Sequence, residues 1–186
     1  MAPIRSRFLC AWQGAHGPNL LAPFVPTPAI VTEMALDMLQ LTSDDVFVDL
    51  GCGDGRVVAA ALRRGVRRSV GVELDATLVE SARRRVRAAL APTDDARRGT
   101  VLLGDLCSPE LATEAYGLAD ATAAFLFLSP RGAEALLSSR ARRFGSPTLR
   151  VCSCDFRLDE QRWTLTQSRR VMDLDLYAYT SAHNRQ

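Results

Sequence analysis

Residues 48–56 read VDLGCGDGR, with Gly51, Gly53 and Gly55 alternating with Cys52 and Asp54. Glycine tolerates positive φ and lets a ligand approach the main chain closely, and a helix that starts just after such a loop offers unpaired amide donors. The run therefore suits a nucleotide-like ligand. Two more acids fit the same chemistry, Glu73 in GVELD and Asp105 in LLGDL, and Asp49 stands two residues ahead of the first glycine. A dinucleotide-binding loop also combines glycines with a distant acid, but its spacing is GxGxxG. Here the spacing is GxGxG, and Arg56 stands where the third glycine would fall. Asp49 would repel a pyrophosphate and suits a ligand with a cationic amino group. Each acid alone could be a helix cap or a solvated strand end. Together the loop, Glu73 and Asp105 form a constellation at successive strand ends.

The elements that position these residues follow from the apolar patterning. Val46–Leu50 is a short apolar run bounded by Asp44-Asp45 and by glycines, as expected of a buried parallel strand. A helix over 56–64, a strand over 69–73 and an arginine-rich helix over 76–90 ending before Pro92 follow. Further strands are expected over 100–103, 121–128 and 149–154, with helices over 109–116 and 131–143. Residues 162–166 and 171–179 read as two last strands with no helix between them, hence an antiparallel hairpin. Ahead of all this, Thr27-Pro28 looks like a capped helix start, with Ile30, Met34 and Met38 on one stripe facing the sheet. The alternation predicts an α/β, Rossmann-like fold: a mostly parallel seven-stranded sheet with helices on both faces and a C-terminal hairpin. Residues 1–22 read as a tail, disordered or targeting, and 23–186 as a single domain.

Composition narrows the chemistry. All 23 basic residues are arginine, which removes Schiff-base chemistry, a phosphate-loop lysine and self-methylation on lysine. A net charge of +2 gives no bulk argument for a nucleic-acid partner, and none is expected. The five cysteines (Cys10, Cys52, Cys107, Cys152, Cys154) form no paired CxxC units, so no metal is expected and a reduced compartment is the natural reading. Cys152 and Cys154 share one face of a strand and read as small hydrophobes. Arg83, Arg84, Arg85 and Arg87, and Arg63, Arg64, Arg67 and Arg68, read as solvated helix-face groups, and His16 and His183 form neither triad nor metal pair. No apolar stretch approaches the ~20 residues of a spanning helix, so an integral membrane protein is not expected. The region before Glu33 has no acid but carries Arg5 and Arg7, a bias seen in mitochondrial presequences, which leaves an intracellular location either mitochondrial or cytoplasmic.

DLGCGDG resembles the first signature of class I S-adenosylmethionine-dependent methyltransferases. The resemblance implies that Asp49 and the backbone of Gly51, Cys52, Gly53 and Gly55 hold the methionine end of S-adenosylmethionine. It further implies that Glu73, with the adjoining Leu74, takes the ribose hydroxyls, and that Asp105 and Leu106 contact adenine. A narrower resemblance covers most of the chain from Pro23: PFVPTP, GDGRVV, GVELD, Leu128-Ser129-Pro130, Asp155-Phe156 and Trp163. This combination is similar to the mitochondrial lysine methyltransferases that modify the ATP synthase c subunit or the adenine nucleotide translocase, although Cys52 stands where those usually carry serine. It implies a protein substrate with an acceptor lysine. Loops after the first and fourth strands flank the methyl group in this architecture, so Phe24, Thr27, Ser129 and Pro130 are the candidates for the acceptor channel. The alternative for these four is plain packing and the end of a strand. A small-molecule or RNA methyltransferase, and a non-catalytic cofactor-binding module, are the competing functions on the same core.

Overall fold

The computed structural model describes residues 24–106, 119–129, 133 and 149–181. The expected tail over 1–22, Pro23, Cys10, Cys107, His16, His183, Pro130, the helix over 109–116 and, apart from Ala133, the helix over 131–143 lie outside the described residues.

The elements in chain order are α1 (Ala29–Met38), β1 (Val46–Leu50), α2 (Arg56–Arg63), β2 (Arg68–Glu73), α3 (Ala76–Ala89), β3 (Gly99–Leu103), β4 (Ala123–Leu126), β5 (Arg150–Cys154), β6 (Trp163–Val171) and β7 (Leu174–Ser181). They form one seven-stranded sheet in the order β3-β2-β1-β4-β5-β7-β6. β1 runs parallel to β2 and β4, β2 to β3, and β4 to β5, while β7 is antiparallel to both β5 and β6. The strand order reverses between β1 and β4, so the crevice for a ligand lies beyond their carboxyl ends.

Alternation along each strand gives the sheet two apolar faces. Phe47, Phe125, Cys152, Cys154, Leu174 and Leu176 point to the face covered by α1 and α2, and Val101 joins α3 on the same side. Val48, Leu50, Val70, Val72, Leu126, Val151 and Tyr179 point the other way. Ala133, in helical conformation, is buried against that second face. At the amino end, Asp45 accepts hydrogen bonds from the Thr42 amide at 2.7 Å and the Thr122 hydroxyl at 2.6 Å, and it pairs with Arg150. Arg150 also donates to the carbonyls of Leu39 and Gln40. One carboxylate thus ties the starts of β1, β4 and β5 to the end of α1.

Four sequence expectations are corrected. In α1 the buried row is Val31, Ala35, Leu36 and Met38, whereas Ile30 is 59% exposed; small Ala35 and Val31 allow close packing against Val57, Ala60 and Ala61 of α2. Pro28, not Thr27, occupies the cap position, and no side chain caps the helix. The hairpin is longer than its apolar pattern: β6 continues through the exposed Gln167 to Arg170 because it is the sheet's edge strand, and the chain reverses at Met172-Asp173, with Met172 at φ 58°. β4 is shorter than expected, since Phe127 to Ser129 leave the sheet toward the cleft side.

Candidate active site

An open cleft lies beyond the carboxyl ends of β1, β2, β3 and β4. β1 delivers Asp49 and then the glycine loop, whose amides at Gly51 and Cys52 both donate to the Val72 carbonyl (2.9 and 3.0 Å). That docking fixes the loop on the neighbouring strand. Gly53 sits at φ 53°, and a Cβ there would come within 2.4 Å of the Phe24 ring. Gly55 sits at φ 76° as the residue capping α2, and a Cβ there would meet Ala82 of α3 at 2.8 Å.

Glu73 closes β2, and its two oxygens have different duties. Oε1 accepts from the amides of Leu74 and Asp75 at 2.8 and 2.9 Å, and Oε2 accepts from the Gly53 amide at 2.8 Å. A carboxylate offers about four lone-pair sites, so Oε2, with one amide partner, keeps room for one further donor. Asp75 caps α3 by accepting from the amides of Thr77 and Leu78.

Asp49 is 2% exposed. Burial, reinforced by the negative charges of Glu73 and Asp54, pushes its carboxyl well above the usual carboxylate range, and no described residue donates a hydrogen bond to it. A buried acid without a partner on the cleft wall is the complement of an ammonium group. The residues present therefore fit S-adenosylmethionine: Asp49 for the amino group, the Gly51 to Gly53 main chain for close approach, Glu73 for the ribose.

Asp54 is the opposite case. Burial acts to raise its pKa, but two hydrogen bonds from Arg56 and the charges of Arg56 and Arg85 hold it below the usual range. Arg56 grips it with a fork, Nε to Oδ1 at 2.9 Å and Nη2 to Oδ2 at 2.7 Å, and Arg85 approaches Oδ2 at 3.0 Å. Arg85 is thus an ion-pair partner rather than a purely solvated helix residue. Arg83 likewise pairs with Glu80 and donates to the Val101 carbonyl, and Arg64 pairs with Glu33 and Asp37.

Of the candidate residues, Asp49, Gly51, Cys52, Gly53, Glu73, Leu74, Asp105, Leu106, Phe24 and Thr27 all line this one cleft. Gly55 does not line it; it packs against α3. Ser129 is also absent from the lining. It is buried, and its carbonyl accepts from the Ala133 amide at 2.9 Å. Sequence reasoning passed over Leu78 and Phe127, which add apolar wall, and the Asp54–Arg56 pair. The DGR tripeptide carried the signal for that pair, since a positive-φ glycine between acid and arginine lets both side chains lie on one side. Among the described residues no histidine, cysteine and carboxylate cluster could hold a metal ion, and no helix is long and apolar enough to cross a membrane.

Residues 49–166 match the model of the ANTKMT methyltransferase domain. The chain belongs to this family. It is similar to a protein-lysine N-methyltransferase from Saccharolobus islandicus, with 29% identity over 140 residues, 73% of this chain and 78% of that protein. Among solved structures it resembles an RNA methyltransferase from Salinibacter ruber in complex with S-adenosyl-L-homocysteine (32% identity, TM-score 0.70, 84% of this chain and 94% of the other). A SAM-dependent methyltransferase from Corynebacterium glutamicum shares the fold at 15% identity, TM-score 0.57, over 81% of this chain and 86% of the other. This ANTKMT-family chain is an S-adenosylmethionine-dependent methyltransferase. Its sheet, with the β5-β7-β6 edge, is the Rossmann-like methyltransferase fold.

Proposed function

We propose that the protein transfers the methyl group of S-adenosylmethionine to the side-chain amine of a lysine in a protein substrate. The observation that carries this reading is the similarity, over about three quarters of both chains, to a protein named as a protein-lysine N-methyltransferase, together with the ANTKMT family match. The cofactor supplies an electrophilic methyl group on a sulfonium. The chain's own residues align and enclose. Asp49 anchors the amino group, Glu73 and Leu74 the ribose, and Asp105 and Leu106 the adenine. An in-line displacement needs little more from the protein than orientation and the exclusion of water.

A lysine acceptor must first lose a proton, which from a pKa near 10.4 costs about 4 to 5 kcal/mol at neutral pH. Apolar surroundings lower that cost by disfavouring the ammonium form. Phe24, Phe127 and Leu128 supply such a wall beside the glycine loop. Phe24 and Thr27 flank the acceptor entrance on this reading. Leu128 borders it from the β4 side.

Purified protein incubated with methyl-labelled S-adenosylmethionine and fractionated cell extract tests the assignment. Label in a protease-sensitive species, located on lysine by mass spectrometry, is the expected result. The 32% identity to an RNA methyltransferase favours a second reading, and label that survives protease but not ribonuclease would select it.

A further inference from the structure

The short segment Phe24 to Thr27 lies beside the glycine loop, and Phe24, Val25 and Thr27 all line the cleft. Two contacts hold this strap to the loop. The Phe24 ring occupies the space that a side chain on Gly53 would take, yet Phe24 is 45% exposed, so this apolar contact is partial. The second contact is charged: Arg56 Nη1 donates to the Thr27 carbonyl at 3.0 Å while Nε and Nη2 of the same guanidinium hold both oxygens of Asp54. One planar group thereby joins the strap to the residue that follows Gly53. Hydrogen bonds from a charged donor are about twice as strong as neutral ones, and a guanidinium fork fixes orientation as well. Arg85 on the outer side of Asp54 keeps that carboxylate paired and in place.

We propose that Arg56 is a positioning residue that latches the Phe24 to Thr27 strap over the methionine end of the cofactor cleft, and so sets the rate at which cofactor and product leave. Arg56 acts through Thr27 and Phe24. The latch would have to loosen once per turnover for S-adenosylhomocysteine to depart.

The test is the dissociation rate of S-adenosylhomocysteine from the purified full chain, followed by stopped-flow displacement. Arg56→Ala is expected to accelerate dissociation about tenfold, and Phe24→Ala to accelerate it as well. If both act through one strap, the Arg56→Ala/Phe24→Ala double variant is no faster than the faster single. Dissociation unchanged within twofold in Arg56→Ala overturns the proposal, and so do effects that multiply in the double variant, since Arg56 would then act on the loop alone. Arg56→Lys guards against a folding defect: it keeps a positive charge beside Asp54 but cannot reach both Asp54 oxygens and the Thr27 carbonyl at once. It is expected to show most of the acceleration, and a wild-type rate in Arg56→Lys also overturns the latch.

Discussion

The Gly53 amide donates to Glu73 Oε2 at 2.8 Å across 20 residues of sequence, so the end of β2 holds the tip of the loop that leaves β1. The other oxygen of Glu73 serves two more amides. All three partners are donors, and only a group that accepts on both oxygens can satisfy them. Glu73→Gln must turn its NH2 toward one set of donors, so it is expected to behave almost as badly as Glu73→Ala. Both variants are expected to weaken S-adenosylhomocysteine binding at least tenfold by calorimetry and to lose about 1–3 kcal/mol of stability. Wild-type affinity in either variant would remove Glu73 from the ribose site.

Asp49 gives a prediction in which stability and binding move in opposite directions. Its carboxyl is raised well above the ordinary 3.8 by burial and by Glu73 and Asp54. The unfolded chain therefore gives up this proton at lower pH than the folded chain does. Between the two pKa values the folded state binds more protons, so stability falls as pH rises from about the ordinary value through the raised folded one. Asp49→Asn is expected to be more stable than wild type near neutral pH, by about 1 kcal/mol or more, with the difference fading in acid, as measured by urea unfolding across pH. Cofactor binding should show the reverse. On the proposed pairing the cofactor's ammonium requires the carboxylate form, so wild-type affinity is expected to rise with pH through the Asp49 ionisation, and Asp49→Asn to bind weakly without that rise. A pH-independent wild-type affinity would contradict the pairing.

What could be read without coordinates was whatever one element decides by itself. β1 and β2 are buried on both sides, so their apolar runs end where the strands end, and that places Asp49 and Glu73 at the cleft. Properties that depend on two elements meeting were not legible. An arginine run on α3 looks the same whether solvated or paired; Arg85 finds Asp54 only because Gly55 lets α2 close on Ala82. In α1 both Ile30-Met34-Met38 and Val31-Ala35-Met38 have helical spacing, and only the need to nest small residues against α2 chooses between them. The edge strand β6 hides for a related reason: its exposed Gln167 to Arg170 carry no apolar signal.

Gly53→Val addresses the loop directly. Its Cβ would land 2.4 to 2.6 Å from the Phe24 ring, at a φ of 53° that a β-branched residue resists. Phe24 is half-exposed and can swing outward, so the fold is expected to survive with a loss of about 1–3 kcal/mol. The cleft is not expected to survive as a binding site. Calorimetry should find no S-adenosylhomocysteine binding while circular dichroism remains native, and intact binding would mean that the cofactor does not approach Gly53.

The described cysteines are expected to be chemically silent. Burial raises the Cys152 thiol to about 12 and lifts Cys52 and Cys154 as well, and all three are buried and free. The thiolate is the reactive form, and at pH 8 these groups hold almost none. Brief alkylation of the native protein with iodoacetamide should leave Cys52, Cys152 and Cys154 unmodified in peptide mass spectra, whereas denaturation with guanidinium should expose all three. Native labelling of Cys52 would show that the glycine loop opens to solvent.

Gly55 and Gly65 separate backbone strain from packing. Both are left-handed, at φ 76° and 83°, so alanine at either position carries the same conformational penalty, about 1–2 kcal/mol. Their surroundings differ. A Cβ at Gly65 meets nothing within 4 Å, whereas at Gly55 it meets the Ala82 Cβ at 2.8 Å and the Ala82 Cα at 2.9 Å. A main-chain atom cannot swing aside, so α2 and α3 would have to separate, adding roughly 1–3 kcal/mol of overpacking. Urea unfolding should therefore place Gly55→Ala below Gly65→Ala by that difference. Because Gly55 packs on α3 instead of lining the cleft, folded Gly55→Ala is expected to keep S-adenosylhomocysteine affinity within a few fold at temperatures below its transition. Equal stability in the two variants would mean that the contact between the helices relaxes freely, and a large loss of affinity in folded Gly55→Ala would return this glycine to the cofactor site.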